Sequence, residues 1–332
     1  MRQKKRAHEG AECEERFRWF GRWREALSFR SAGRRAGPHA AVAAAILCII
    51  VIAGCSAPSG SGGSLGQAEE TPAVVEVSGE INVDILDIGK ADCSVIRSEN
   101  QVTIIDTGYK DTSDIVLEYM KSQGIEKIDH LIITHFDKDH IGGAADLLEV
   151  CEIGTIYQPD YSADEEDSKP YSRYVEKLEE KNLNPVTVRA AMGIIMDDVV
   201  LTIYPPKKLG YSKDKDNNRS LVTVLEHGKV RMLFAGDAEE ERIEEIYSQI
   251  EDLNFDLLKV PHHGHMEKNS EEFFHKISPD YAVICAETES GGDNPDEEAV
   301  KALEDAGAEV LVTGDGEVHC VSDGKKLTVS QE

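Results

Sequence analysis

No apolar run in this chain is long enough to cross a bilayer as a helix. The longest, Ala40 to Ala53, is shorter than the ~20 residues a span needs, and nothing comparable follows Cys55. A helical channel is therefore not expected in the folded part. Cysteine is sparse and unpatterned: seven are present and none shows Cys-x-x-Cys spacing, so a cysteine zinc site is not expected. Cys93, Cys151, Cys285 and Cys320 lie mostly in apolar segments and read as small core residues. Positive charge is scarce as well, with 36 Lys and Arg against 63 Asp and Glu. Eleven of those bases and five of those acids precede Cys55, which leaves the body 25 against 58, a formal −33. Such a body repels anionic lipid and nucleic acid at long range, and only a local basic patch would meet an anion. No internal repeat is visible. No Ser-His-Asp or reactive-Cys arrangement is visible either, so a side-chain nucleophile is not expected.

The amino end is different in kind. Residues 1–39 are rich in arginine, the apolar run follows, and Ile52-Ala53-Gly54-Cys55-Ser56 closes it. A basic region, a short apolar region and small residues before a cleavage point describe a secretory signal. A cysteine at the first mature position resembles a bacterial lipoprotein signal, which implies lipidation at Cys55 and an extracytoplasmic chain held on the cell membrane. The basic region is long for such a signal, which places the expected start codon downstream of Met1. Residues 56–80, with their Ser/Gly stretch, read as a flexible tether. The expected organisation is thus a signal over 1–55, a tether over 56–80 and one large domain over 81–332.

That domain is organised around Thr134-His135-Phe136-Asp137-Lys138-Asp139-His140-Ile141-Gly142-Gly143. The apolar Leu131-Ile132-Ile133 before it reads as a buried strand, and Ala144 to Leu148 after it as the start of a helix. Four metal-capable side chains therefore sit on a strand-to-helix turn. His135 and Asp137, two apart, face the same way on an extended strand end. Asp139 and His140, being adjacent, diverge towards a second point. Two ligand pairs suggest two metals, and two ions about 3.5–4 Å apart can clamp the attacking and leaving oxygens of a hydrolysis. Imidazole with carboxylate suits zinc first and manganese next.

Here the sequence resembles the metallo-β-lactamase superfamily of metal-dependent hydrolases, whose signature is His-x-His-x-Asp-His. Asp137 stands where the second His is usual, which resembles the ComEC-type competence subgroup, found at the end of a DNA-uptake channel protein. Asp87-Ile88-Gly89-Lys90-Ala91-Asp92 is similar to the opening Asp-Val-Gly-Gln-Gly-Asp of that subgroup, with Lys90 and Ala91 as departures. Asn217-Asn218-Arg219-Ser220-Leu221-Val222 resembles its Asn-Asn-x-Ser-Leu-Val element, and no third His is found there. Pro261-His262-His263-Gly264-His265 resembles its His-His-Gly-Ser, with His265 in place of Ser. The resemblance implies a four-layer αββα sandwich, His263 as the last ligand, Asp237 after its strand as a bridging ligand, and Asp106 as a support for the metal loop.

The reading that follows places His135 and Asp137 on one ion, Asp139, His140 and His263 on the other, and Asp237 between them. Asp139, His140 and Asp237 are the residues closest to the chemistry. Asp92 turns either to the site floor or to nearby backbone. Asn217, Asn218 and Ser220 either reach metal or substrate or shape an Asx turn. His262 is an alternative ligand or a proton handler, and His265 sits beside it. Lys259, on a strand end, is expected to meet an anionic substrate. Loop cations near these motifs (Lys90, Lys110, Lys138, Lys207, Lys208, Lys213, Lys215, Arg219 and Lys268) are either scattered surface charge or a substrate-facing patch. The expected substrate is a phosphodiester, nucleic acid included. A cell-wall phosphoester such as a phosphorylcholine ester, and a non-catalytic metal-binding scaffold, are the alternatives.

Overall fold

The computed structural model describes residues 79–161, 169–211, 216–289 and 291–332. The expected signal, the lipidation position Cys55, most of the tether, and Lys213 and Lys215 lie outside the described residues.

In chain order the elements begin with β1 (Ile81–Ile85), β2 (Ser94–Arg97), β3 (Val102–Ile105), a helix at Ser113–Ser122 and β4 (Lys127–Ile132). Short helices at Lys138–Ile141 and Ala144–Val150 lead to β5 (Glu152–Pro159), the helix Lys169–Lys181 and β6 (Val186–Val188). Then come β7 (Met192–Met196), β8 (Val199–Tyr204), β9 (Val222–His227) and β10 (Val230–Phe234), followed by the helix Glu240–Gln249 and β11 (Leu257–Lys259). The helix Ser270–Ile277, β12 (Tyr281–Ile284), the helix Glu297–Asp305, β13 (Glu309–Val312), β14 (Val318–Ser322) and β15 (Leu327–Gln331) complete it.

Among the described residues these strands form two sheets, ordered β15-β14-β1-β2-β3-β4-β5-β6 and β13-β12-β11-β10-β9-β8-β7. One buried cluster takes Val83, Ile85, Ile96, Ile105 and Ile132 from the first sheet and Leu201, Ile203, Leu225, Met232 and Phe234 from the second, so the sheets pack face to face. The pattern of β8 shows why: Val199, Leu201 and Ile203 are buried while the residues between them are not, and alternation decides which face meets the core. A second cluster packs Val224, Leu233 and Ile284 against Ile243, Ile246, Phe273, Phe274 and Leu303 of three helices, covering the outer face of the second sheet. On the first sheet, Tyr119 of the helix Ser113–Ser122 hydrogen-bonds Asp84 of β1. The arrangement is mixed α/β, with helices outside two stacked sheets, consistent with the expected layered sandwich.

Topology decides where chemistry can sit. β3 to β6 run parallel in one sheet and β10 to β13 in the other. Ligands of open α/β sheets bind outside the carboxyl ends of such strands. The loops after β3, β4, β10 and β11 carry Asp106, the His135–His140 turn, Asp237 and His263.

One boundary differs from expectation. β4 ends at Ile132, so His135 and Asp137 share an irregular turn rather than a strand end.

Asp84 is buried, and it accepts from Tyr119, from Arg97 at 2.8 Å and from His319 Nδ1 at 2.7 Å. Asp84→Ala leaves these donors facing one another without an acceptor. The expected cost is about 3 kcal/mol, seen as a fall of about 6–12 °C in thermal midpoint.

Candidate metal centre

Four loops converge. Asp106, at the end of β3, adopts left-handed backbone geometry (φ 60°). Its Oδ1 accepts from the Thr134 amide at 2.8 Å, and its Oδ2 accepts from Thr134 Oγ1 at 2.6 Å and from His140 Nδ1 at 2.8 Å. This one carboxylate fixes both the start of the metal loop and the orientation of His140. Downstream, the Asp137 carbonyl accepts from the amides of His140 and Ile141, starting the short helix. Gly142 and Gly143 are required by contact, since a Cβ there would lie 2.3 Å from the Lys138 carbonyl oxygen and 2.4 Å from that of Thr107. After β10, the Asp237 amide donates to Ser220 Oγ at 3.1 Å. After β11, His262 and His263 both take left-handed backbone angles, φ 49° and 52°. Such strain concentrates at functional sites. His263 Nδ1 donates to the Cys285 carbonyl at 2.9 Å.

The result is a compact set of donors around one oxygen. Asp237 Oδ2 lies 3.1 Å from His140 Nε2, 3.3 Å from His263 Nε2 and 3.9 Å from His135 Nε2. Asp139 Oδ2 is 3.3 Å from His263 Nε2, and Asp137 Oδ2 is 3.8 Å from His135 Nε2. Asp139, His140, Asp237 and His263 offer four ligand atoms all within 4.8 Å of one another. The Nε2 atoms of all three histidines and Asp237 Oδ1 are buried without a hydrogen-bond partner. Buried polar atoms are rarely left unpaired, and such a set fits divalent cations. With Nδ1 of His140 and His263 each bound to an acceptor, both rings can present Nε2 as a lone pair.

The sequence profile described as the Metallo-beta-lactamase superfamily matches residues 86–288 of this chain, which is more than half of it. The chain belongs to that superfamily. It is 26% identical over 256 residues to ComE operon protein 3 of Bacillus subtilis, a match covering 71% of this chain and 32% of that protein. It is 24% identical over 292 residues to competence protein ComA of Neisseria gonorrhoeae, covering 83% of this chain and 39% of that one. The chain thus spans well under half the length of these relatives. Among solved structures, the metallo-beta-lactamase fold protein YhfI from Bacillus subtilis aligns with TM-score 0.48 and 10% identity, over 76% of this chain and all of that one.

Electrostatics follow from packing these groups in a superfamily site. Burial opposes charge on His140, but the carboxylates of Asp237, Asp106 and Asp92 outweigh it and raise its pKa well above the ordinary value. The same contest raises His263 to about 9, with Asp237 and Asp139 overcoming burial. Burial and the neighbouring His140 push His135 the other way, well below the ordinary value. Burial raises the Asp137 carboxyl to about 6. Asp139 and Asp237 are held below the usual carboxylate range because His140 and His263 override their burial.

The remaining expected residues divide. Asp92 is buried at the floor, with Oδ2 3.8 Å from His140 Nδ1 and Oδ1 3.7 Å from His263 Nδ1. Lys259 is a correction. It is 2% exposed, ion-paired to Asp92, and 3.5 Å from the Gly236 carbonyl, so it faces the underside of the centre and no substrate. Asn218 is another, because its Oδ1 accepts from the Arg242 amide and its Nδ2 donates to Glu239, so it ties the start of the helix Glu240–Gln249 in place. Asn217 Nδ2 donates to Glu239 at 2.9 Å while its Oδ1 is buried and unpartnered. Ser220 Oγ lies 3.4 Å from His135 Nδ1, where it steadies that ring from behind. His262 stands outside the four-donor set, with Nδ1 3.7 Å from Glu239 and 3.6 Å from Glu267. His265 is 39% exposed and turns to Lys90 and Asp296. Thr134, the Cys285 carbonyl and Glu239 were missed. The first two act through contacts that leave no local pattern, while Glu239 stands only two residues after Asp237, a spacing visible in the sequence.

Metal-free protein should show the charge imbalance directly. His263 has a folded pKa of about 9 against an ordinary 6.5, so its proton contributes stability that is complete below about 6.5 and is lost as pH rises through about 9. The thermal midpoint of chelator-treated protein is expected to fall across that window. Added divalent ion should abolish or reverse the trend, since an ion takes the place of the protons. A calorimetric pH series with and without the ion measures both.

Proposed function

We propose that this protein is an extracytoplasmic metal-dependent hydrolase of phosphodiester bonds, working through a dinuclear centre. The observation that carries this is Asp237 Oδ2, placed 3.1–3.9 Å from three buried imidazole nitrogens that have no hydrogen-bond partner. His135 and Asp137 would hold one ion, Asp139, His140 and His263 the other, with Asp237 shared. The donor chemistry favours zinc, then manganese. Bound there, divalent ions supply the Lewis acidity that polarises a phosphoryl oxygen and lowers the pKa of water. The chain's own work is orientation. Asp106 holds the His140 ring by its Nδ1, the Cys285 carbonyl holds that of His263, and buried walls keep bulk water from the donors.

The substrate class draws on the relatives, named as a ComE operon protein and a competence protein, and on how well two cations match an anionic phosphoryl group. The amino end supports secretion, with the mature chain lipid-anchored through Cys55 to the outer side of the cell membrane. A second reading, a metal-holding scaffold without catalysis, is favoured by one feature. No third imidazole is found in the Asn217–Val222 stretch, and Ser220 there turns its hydroxyl to His135 Nδ1 and not to the Nε2 side.

Metal analysis of the purified protein, with bis-p-nitrophenyl phosphate and nitrocefin assayed side by side, separates these. The expected result is bound divalent metal and phosphodiesterase activity that falls by about 100-fold or more in Asp139→Ala at unchanged circular dichroism. A folded, metal-loaded wild type inert to every ester offered would establish the scaffold reading instead.

A further inference from the structure

Lys90 and His265 lie 175 residues apart, and each departs from the motif around it. The fold brings them together: the Lys90 ammonium donates to His265 Nε2 at 3.0 Å. His265 Nδ1, on the other side of the ring, faces the Asp296 carboxylate at 3.7 Å. Lys90 is therefore held in place by an imidazole and not by a carboxylate.

Of the other loop cations, Lys138 lies over the Tyr109 ring and Lys207 donates to Ser248 Oγ, while four are ion-paired. Lys208 is paired with Glu241, Lys268 with Glu240, Arg219 with Asp216, and Lys259 with Asp92. Among the described residues no carboxylate is within ion-pair distance of Lys90. Its acidic surroundings are Asp87, which accepts from the Gly89 amide, Glu287 beside Gly89, and Asp296 beyond the His265 ring. Position gives this charge a use. Lys90 is two residues before Asp92 and His265 two after His263, so the backbone of each lies within about 7 Å of the backbone of that residue. The His265 ring is 4.8 Å from that of His262, which is 6.4 Å from that of His263.

We propose that Lys90, clamped by His265, binds the phosphate that flanks the scissile one, and so selects a polymeric phosphodiester over an isolated ester. This rests on the phosphodiester reading. In a body of formal charge −33 such a cation gives a polyanion a local foothold. His265 spares the lysine the entropy of being ordered on binding.

The test compares a short single-stranded oligonucleotide with bis-p-nitrophenyl phosphate, which has no flanking phosphate. Lys90→Met is expected to raise KM for the oligonucleotide about tenfold, at least fivefold more than for the small ester, with kcat changed less than twofold. The salt dependence of oligonucleotide binding, followed by fluorescence anisotropy, should lose about 0.7 from its log–log slope, as for one phosphate contact on a single strand. Lys90→Arg should keep most of the affinity, and His265→Ser should give part of the loss. Equal effects on both substrates, or an unchanged salt slope, would overturn the proposal. If the wild type hydrolyses neither substrate, the hydrolase reading fails while the binding slope still decides the role of Lys90.

Discussion

The centre depends on keeping buried carboxylates together. Asp92, Asp106 and Asp237 are all nearly inaccessible to water, and Asp139 adds a fourth within reach of the same imidazoles. Each such charge costs several kcal/mol to remove from water unless it is paired. The fold answers with three kinds of partner: the buried ammonium of Lys259 beneath Asp92, the Thr134 donors on Asp106, and the imidazoles of His140 and His263 against Asp237. Imidazoles can offset carboxylates in two ways. They can hold protons, as the raised values of His140 and His263 imply, or they can share a divalent ion with them.

The sheets make this concentration of charge possible. Two sets of parallel strands end on the same side, and each end releases its chain into a loop whose backbone is already fixed by the strand behind it. Asp106 and His263 pay in backbone strain for the directions their side chains take. The buried core shared by the two sheets holds those loops against each other. His135 and His263 come from different sheets, so the centre exists only when the sandwich is closed.

Much of this was legible in the sequence because the ligands are dense where they matter. His135, Asp137, Asp139 and His140 share six positions, and Asp237 and His263 each follow an apolar strand. What escaped is chemistry carried by burial or backbone. Lys259 reads as a strand-end cation, yet β11 is buried on both faces and Lys259 lies between Leu258 and Val260. A lysine inside an apolar run signals a buried partner, and that was the clue available. Asn218 looked like a metal or substrate group, but its amide ties the helix Glu240–Gln249 to Glu239, a role set by spatial neighbours. The Lys90–His265 contact joins two separate motif departures, which no local pattern could connect.

The most direct measurement is anomalous diffraction from crystals grown with zinc and, separately, with manganese. The account predicts one peak about 2.0–2.2 Å from the donor atoms of Asp139, His140, Asp237 and His263, and a second beside His135 that shares Asp237. Crystals that bind no ion there, or that bind it only among Glu239, His262 and Glu267, would contradict it.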